Sequence, residues 1–537
     1  MTLSRCLTLL LVALALAGCA EDAPEPKAVR SKGGPPAAGD ALVTGSIGEP
    51  SNLIPILSSD SASSDISGLV YSGLVRYDKN YKLEGDLAQS WEVSADGLTI
   101  TFHLRRGVKW HDGHDFTSRD VLYTYRVVID PKTPTAYSED FKQAKTAQAL
   151  DPYTFRVSYA KPFAPALASW GMPVLPAHLL EGKDITQSPL RRSPVGTGPF
   201  VFKEWIPGQK VTLESYRDYW EGAPYLGRYV YRIIPDSSTM YMELKSGGID
   251  QMGLSPVQYQ RQTDTPEFLS RFNKFRYPAS AYTYLGYNLR LPLFQDRRVR
   301  QAITCAINKE EIVQGVLLGM GQIAHGPYKP GSWAYKAQVA DPAYDPARAQ
   351  ALLREAGFVM GRDGVLAKDG KRLSFTIMTN QNDQRVKCAQ IIQQRLKRVG
   401  IEVKIRVMEW ASFITNFIDT GRFEAVLLGW TISQDPDIYD IWHSSKTEPK
   451  ELNFIRFKNP EVDRLLDQGR GTFDVAKRRA CYYEIQEILA REQPYTFLYV
   501  PDALPAVSSR FRGIEPAPAG IMHNLIKWYV PKQEQVH

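Results

Sequence analysis

Residues 373–430, LSFTIMTNQNDQRVKCAQIIQQRLKRVGIEVKIRVMEWASFITNFIDTGRFEAVLLGW, determine the fold class of this chain. Apolar residues first alternate with polar ones, then recur at helical spacing, and then alternate again, which indicates strand, helix and strand. The predicted elements are a strand over 373–377, a helix over 389–399, a strand over 401–407, a helix over 410–418 and a strand over 425–428. Strands and helices that alternate with short connections predict a parallel α/β sheet.

Ligands of such sheets bind beyond the carboxyl ends of the strands. Two of these ends are residues 380–385 and 429–437. Trp430 ends a buried strand, so we expect it to form an aromatic wall of a cleft, with a core position as the alternative. Arg385 lies at a predicted helix N-terminus, where the guanidinium and the helix end both favour an anion. We expect it to bind a ligand carboxylate, with a solvated surface arginine as the alternative.

The composition excludes several classes of protein. The 537 residues are 43% hydrophobic and 23% charged, with a mean hydropathy of −0.30, which excludes a disordered chain and a protein with many membrane spans. The formal net charge of +7 comes from scattered basic residues, so no nucleic-acid partner is expected. Beyond the first nineteen residues the cysteines are Cys305, Cys388 and Cys481, and they are expected to be small buried residues rather than a disulfide framework.

The N-terminus has the features of a targeting segment. Residues 1–18 contain Arg5 and then an apolar run that is too short to span a bilayer, which indicates a signal peptide. The run ends at Gly18-Cys19 and resembles the bacterial lipobox, which implies cleavage before Cys19 and lipidation of that cysteine. An ordinary secretory signal is the alternative. Residues 19–41 are rich in Pro and Gly and are predicted to form a flexible tether. Because Ala20 follows the cysteine, the choice between inner and outer membrane stays open.

Four segments together resemble family 5 of the bacterial extracellular solute-binding proteins, the oligopeptide-, dipeptide- and nickel-binding lipoproteins of ABC importers. They are FHLRRGVKWHDGHDFTSRDVLYTY at 102–125, VGTGPFVFKEWIPGQKVTLESYRDYWEGAP at 195–224, YLGYNLRLPLFQDRRVRQAITCAINKEEIV at 284–313, and the 373–430 unit followed by Asp435-Pro436-Asp437.

The resemblance implies an α/β fold of two lobes, the type II periplasmic-binding-protein fold, with mixed sheets flanked by helices. An extra subdomain is expected in the N-terminal lobe. The implied boundaries are 42–75, 193–296 and 493–537 for the main N-terminal subdomain, 76–192 for the extra subdomain, and 297–492 for the C-terminal lobe. The two segments that cross between the lobes are expected to act as a hinge.

The resemblance also implies a set of ligand-binding residues. They are Ser59, Asp60 and Ser61 on the first lobe, Tyr284 near the crossover, and Trp430, Thr431, Ser433 and Asp435 in the cleft motif. In peptide-binding members an aspartate three residues after the cleft Trp pairs with the peptide α-ammonium, but Ser433 occupies that position here. Either Asp435 or Asp60 replaces the aspartate, or the ligand lacks a free amino terminus. Asp435 is alternatively a turn residue beside Pro436.

The resemblance implies a binding protein rather than an enzyme. The expected partners are a peptide or other small solute, the permease of an ABC importer, and the bacterial membrane through the lipid, with no nucleic acid and no cofactor. An oligosaccharide, a nickel chelate, a haem-like compound or an opine are alternative ligands, and a sensor or chaperone role is an alternative function. The stretch from His111 to His114 resembles a metal cluster, but it lies in a turn of the family motif, so no metal ligand is expected there. His443 keeps a chelated metal open as a ligand.

Overall fold

The computed structural model describes residues 34–537. The predicted signal peptide, Cys19 and the tether up to residue 33 lie outside the described residues. The last part of the predicted tether does not behave as one. The Gly39 N–H donates to the Tyr225 carbonyl at 2.8 Å, and Asp40 is buried in an ion pair with Arg510. We therefore propose that the folded body begins at about residue 38 rather than after residue 41.

The elements of residues 34–537 are numbered in chain order. The strands are β1 (Ala41–Ser46), β2 (Val75–Tyr77), β3 (Leu83–Gly85), β4 (Ala88–Val93), β5 (Thr99–Leu104), β6 (Ala144–Asp151), β7 (Thr154–Tyr159), β8 (Phe200–Ile206), β9 (Lys210–Ser215), β10 (Arg228–Ile233), β11 (Gln251–Gly253), β12 (Phe272–Lys274), β13 (Tyr277–Pro278), β14 (Ala281–Tyr287), β15 (Gly321–Ile323), β16 (Val359–Met360), β17 (Leu366–Lys368), β18 (Lys371–Arg372), β19 (Ser374–Asn380), β20 (Glu402–Met408), β21 (Ala425–Thr431), β22 (Tyr495–Ala503) and β23 (Pro505–Ser508). The α-helices are α1 (Ser61–Val70), α2 (Ser118–Ile129), α3 (Ser138–Lys142), α4 (Ala177–Leu180), α5 (Ser237–Ser246), α6 (Pro266–Arg271), α7 (Pro292–Gln295), α8 (Arg297–Ala306), α9 (Lys309–Gly315), α10 (Pro346–Glu355), α11 (Asp383–Arg398), α12 (Trp410–Phe413), α13 (Tyr439–Trp442), α14 (Pro460–Arg470) and α15 (Val475–Glu492).

Three sheets organise the chain. The first sheet has the order β12-β23-β11-β1-β10-β9-β8, and the second has the order β13-β22-β14-β21-β19-β20 with β15 paired to β22. The third sheet has the order β4-β5-β7-β6 and lies between β3 and β8 in the sequence. One apolar core, which runs from Leu42 through Phe102 to Trp528, joins the first and third sheets. Separate cores built from residues 282–500 cover the second sheet.

The segment that determines the fold class forms the expected elements. The strands β19, β20 and β21 are joined by α11 and by α12 with the short π-helical turn that follows it, and both strand pairings of β19 are parallel. The Asn382 side chain caps α11 by accepting from the Arg385 N–H at 3.0 Å. The sheet as a whole is mixed, because β14 and β22 add to it in antiparallel pairings.

The chain crosses between the first and second sheets at two places. One crossing runs from β12 to β13, and the other from β22 to β23. Strands β14 and β22 belong to the second sheet, although boundaries at 296 and 493 assign them to the first lobe. We therefore propose that the lobe boundaries fall near residues 275 and 504. Within residues 34–537, no helix has both the length and the apolar character that crossing a bilayer requires.

Candidate ligand-binding cavity

A cavity of about 760 Å³ lies between α1 on one side and the carboxyl ends of β19 and β21 on the other. All nine residues that the sequence predicts for ligand binding line it: Ser59, Asp60, Ser61, Tyr284, Arg385, Trp430, Thr431, Ser433 and Asp435. This volume is within the range of about 300–1,000 Å³ that is typical of small-molecule sites. The two strand ends that the sequence singled out, residues 380–385 and 429–437, therefore both contribute to the lining of one cavity.

The first-sheet wall is the N-terminus of α1. The buried Asp60 is the N-cap, and its carboxylate accepts from the Ser63 N–H at 2.9 Å, the Ser63 Oγ at 2.7 Å and the Ser51 Oγ at 2.5 Å. These bonds already occupy both carboxylate oxygens. Asp60 thus shapes the wall, whereas Ser59 and Ser61 beside it are exposed and have their hydroxyls available for a ligand.

Aromatic side chains form the opposite wall. Trp430 is half-buried, packs on Phe454 at 5.7 Å between ring centroids, and donates its indole N–H to the Tyr495 hydroxyl at 3.2 Å. Tyr284 is fully buried and stacks on Tyr495 at 3.8 Å. Trp430 therefore presents a ring held in one orientation to the cavity, while Tyr284 supports that wall from behind.

Arg385 is a half-buried cation in the cavity wall. Its Nη1 donates to Asn380 Oδ1 at 3.0 Å, and among residues 34–537 no carboxylate oxygen lies within 4.0 Å of its nitrogens. Burial lowers the pKa of Arg385, because the charged form has lost much of its hydration. A Cβ atom at Gly429 would lie 2.9 Å from Arg385 Nη2, so the glycine leaves the space that the guanidinium fills. The cavity wall therefore contains a cation whose charge no nearby carboxylate of residues 34–537 compensates.

Asp435 and Asp60, the two candidates to replace the aspartate that Ser433 displaces, already have partners within the protein. Asp435 accepts from Arg478 Nη2 at 2.7 Å, which already compensates its charge. Ser433 and Thr431 are exposed to the cavity and carry no charge. Asp435 and the saturated Asp60 are therefore both poor partners for a ligand ammonium.

Two other carboxylates that line the cavity, those of Asp65 and Asp419, have neither an ion pair within 4.0 Å nor a hydrogen bond among the described residues. Desolvation between the cavity walls, with a smaller contribution from Asp60, raises the pKa of Asp65 to about 7. Burial raises the pKa of Asp419 to about 6, although Lys450 opposes this shift. A cationic group in the cavity would relieve both carboxylates.

The structure adds a cross-cavity ion-pair cluster that sequence reasoning missed. Arg470 from α14 contacts Asp437 and also donates to Asp140 of α3 at 2.6 Å. The Ser169 Oγ donates to the other Asp140 oxygen at 2.9 Å. Only 5% of the Arg470 side chain is exposed, and 25% of that of Asp140, so a largely buried ion pair joins a helix of the third sheet to a helix of the second sheet.

Trp410 makes a second bridge across the cavity. It donates its indole N–H towards Asp60 Oδ1 at 3.4 Å and packs on the backbone of Gly48, where a Cβ atom would lie 2.8 Å from the ring. The carboxyl-end rule covers Trp410 as well, since it follows β20. Trp410 and the Arg470 cluster therefore each connect the two sides of the cavity.

The histidines of the sequence motifs lie outside the cavity lining. His111 Nδ1 accepts from the Gly196 N–H at 3.2 Å and His111 Nε2 donates to the Gly198 carbonyl at 3.0 Å. Burial lowers the pKa of His111 to about 4, so the ring is neutral and joins two backbone segments. The His443 ring stacks on Tyr439 at 4.1 Å and Nδ1 contacts Ser445 Oγ at 2.7 Å, and His443 does not line the cavity.

Comparison with known proteins agrees with this architecture. Residues 82–450 match the family model of the bacterial extracellular solute-binding proteins, family 5. The oligopeptide-binding protein AppA of Bacillus subtilis is 34% identical over 535 residues, which is 98% of each chain. The structure of AppA in complex with a nonapeptide superposes with a TM-score of 0.88, covering 93% of this chain and 100% of AppA. NikZ from Campylobacter jejuni, in complex with Ni(L-His), is 28% identical with a TM-score of 0.83 and covers 91% of this chain and 99% of NikZ.

Two lobes of mixed α/β structure with a cavity between them, lined by charged, hydroxyl and aromatic side chains, define a solute-binding protein. The match of residues 82–450 to the family model then identifies which family of solute-binding proteins this is. The chain belongs to family 5 of the bacterial extracellular solute-binding proteins.

Proposed function

We propose that this protein is an extracytoplasmic receptor that captures di- or oligopeptides by closure of its two lobes and delivers them to the permease of an ABC importer. The observation that carries the proposal is the charge pattern of the cavity. Among residues 34–537, Arg385 has no carboxylate within 4.0 Å, and Asp65 and Asp419 form no ion pair, although Lys450 lies near enough to Asp419 to lower its pKa. All three charged residues line one cavity. A peptide carries one carboxylate and one ammonium, and it would compensate charges of both signs at once.

The two charged ends have different partners in this proposal. The ligand carboxylate pairs with Arg385 at the N-terminus of α11, where the helix end adds favourable electrostatics. The ligand ammonium pairs with Asp419 or Asp65 rather than with Asp435, which Arg478 already occupies. The exposed hydroxyls of Ser59, Ser61, Thr431 and Ser433 supply hydrogen bonds to the peptide backbone, and Trp430 packs on an apolar side chain. No covalent step is involved.

A thermal-shift screen tests the ligand class, because a ligand that binds only the folded protein raises its apparent stability. The purified chain is screened with di- to nonapeptides, with N-acetylated and C-amidated versions of each hit, and with nickel–histidine and opine ligands. We expect peptides with both free termini to give the largest shifts. Shifts from the nickel or opine ligands alone, with none from any peptide, would refute the peptide proposal.

We also propose that Cys19 is lipidated and anchors the receptor to a bacterial membrane. The support is the lipobox-like sequence that ends at Gly18-Cys19. In cells, the parent chain should fractionate with membranes, and Cys19→Ser should move it to the soluble extracytoplasmic fraction. A parent chain that is already soluble would contradict the anchor but not the peptide-binding proposal.

A further inference from the structure

Three side chains with metal-binding atoms converge on the surface away from the cavity. Asp112 Oδ2 lies 2.7 Å from His178 Nε2, and Asp112 Oδ1 lies 3.2 Å from His114 Nδ1. The rings of His114 and His178 stack at 4.2 Å between centroids. One donor atom from each of the three residues lies within 4.8 Å of the other two. None of the three residues lines the ligand cavity.

We propose that Asp112, His114 and His178 bind a divalent transition-metal ion of the Zn²⁺ class. Two imidazole nitrogens and one carboxylate oxygen are a donor set that Zn²⁺ accepts, with water at the remaining positions. Zn–N distances of about 2.0–2.1 Å in a tetrahedral site place donors roughly 3.3–3.5 Å apart. The two hydrogen-bonded separations, 2.7 and 3.2 Å, are shorter than this range, and all three donors lie within 4.8 Å of one another, so small side-chain rotations bring them to one ion.

The protein backbone holds the donors in place before any ion arrives. Asp112 and His114 lie on one turn, in which the Trp110 N–H donates to the His114 carbonyl at 2.8 Å. Gly113 within this turn has φ of +91°, a conformation that glycine adopts without strain. His178 lies on α4, whose first N–H, that of Ala177, donates to Asp120 Oδ1 at 3.1 Å and ties this helix to α2. Little ordering entropy would therefore be lost when an ion binds.

The protonation chemistry is also compatible with an ion. Nε2 of His178 and Nδ1 of His114 donate hydrogen bonds to the Asp112 carboxylate. Metal binding needs lone pairs on the same nitrogens, and a neutral imidazole supplies them by moving its proton to the other ring nitrogen. From the sequence of residues 111–114, only a turn was expected, without a metal site. His178, 64 residues after His114 in the sequence, completes a donor set that the local sequence could not show.

The test is isothermal titration of Zn²⁺ into the chain purified without a histidine tag, with Mg²⁺ as the comparison ion. We expect one Zn²⁺ to bind with saturation and Mg²⁺ not to bind, because imidazole nitrogens suit borderline rather than hard cations. His114→Ala, His178→Ala and Asp112→Asn should each weaken Zn²⁺ binding by at least about 10–100-fold, the loss that is typical even for groups outside the first coordination sphere.

His523→Ala is the matched control, since His523 is an exposed histidine on a distant part of the chain and its removal should leave Zn²⁺ affinity unchanged. Asp112→Asn preserves the size of the side chain, so its unfolding temperature should equal that of the parent even if an alanine variant misfolds. The proposal is overturned if the parent shows no saturable uptake, or if the three variants bind Zn²⁺ as the parent does. Peptide binding is expected to be the same in all of these variants, which separates this result from the proposed transport function.

Discussion

Replacement of Arg385 by methionine tests the charge reasoning most directly. Arg385→Met removes the half-buried guanidinium but keeps a flexible side chain that fills much of the same space. Because no carboxylate lies within 4.0 Å of Arg385 among the described residues, the substitution breaks no internal ion pair. The unliganded variant should therefore unfold at the same temperature as the parent or a higher one.

The effect on binding should be large and should depend on the ligand terminus. A hydrogen bond to a charged group contributes about 1.5–3 kcal/mol, and the partial burial of Arg385 favours the upper half of that range. A loss of about 2–3 kcal/mol corresponds to roughly a 30- to 150-fold weaker Kd for a peptide with a free carboxylate. The same peptide with a C-terminal amide should bind the parent weakly, and its affinity for Arg385→Met should be only slightly lower.

Calorimetric titration of both peptides into both proteins closes a thermodynamic cycle, whose interaction free energy isolates the Arg385–carboxylate pair. Thermal unfolding of the unliganded proteins supplies the second readout. Equal losses for the acid and the amide would show that Arg385 does not contact the carboxylate. A large drop in unfolding temperature would show that Arg385 has a structural role instead.

Three further substitutions test other parts of the site. Gly429→Ala should weaken binding of carboxylate ligands by at least about tenfold, since its Cβ atom would lie 2.9 Å from the Arg385 guanidinium. Titration of the acid and amide peptides measures this loss, and an unchanged Kd would contradict it. Asp140→Asn should shift the unliganded protein towards an open form by removing one carboxylate from the Arg470 cluster, seen as a larger radius of gyration by small-angle scattering, with an unchanged radius as the contrary result. In the folded protein the pKa of Asp419 is about 6, above its usual value of 3.8. Ionisation of Asp419 therefore lowers the free energy of unfolding as the pH rises from about 4 to about 6, by up to about 3 kcal/mol above pH 7. Asp419→Asn should therefore raise the unfolding temperature at pH 8 but not at pH 3.5, and a gain of equal size at both pH values would refute the role of charge.

Local sequence patterns predicted the strands and helices of residues 373–430 but not the other strands of the second sheet. Residues 373–430 carry their own periodicities and turn signals, so β19, α11, β20 and β21 follow from neighbouring residues alone. Strands β14 and β22 join the same sheet from about 90 residues before β19 and about 60 residues after β21. Their pairing depends on contacts that are distant in sequence, and no local pattern reports such contacts. The lobe boundaries at 296 and 493, which the family resemblance implies, place these two strands outside the C-terminal lobe and so differ from the sheet crossings.

The candidate site shows the same division between local and distant information. The strand-end rule and the family resemblance gathered nine residues that do line one cavity. They did not show that Asp435 is paired with Arg478, which lies on a helix 43 residues later. They also missed Asp65, Asp419 and Arg470, whose importance depends on the presence or absence of charged neighbours across the cavity. Charge compensation is a property of the folded arrangement rather than of any one segment.

The bonding of His111 has a consequence for how related sequences are recognised. The ring accepts a hydrogen bond at Nδ1 from the Gly196 N–H and donates one at Nε2 to the Gly198 carbonyl, so both of its nitrogens bind the WHDG stretch to the GTGPF stretch. Asparagine and glutamine offer a donor and an acceptor too, but from a single amide rather than from opposite edges of a flat ring. Across the family, these two stretches are therefore expected to change together or not at all, and a relative that keeps only one of them should differ in how its first lobe is assembled.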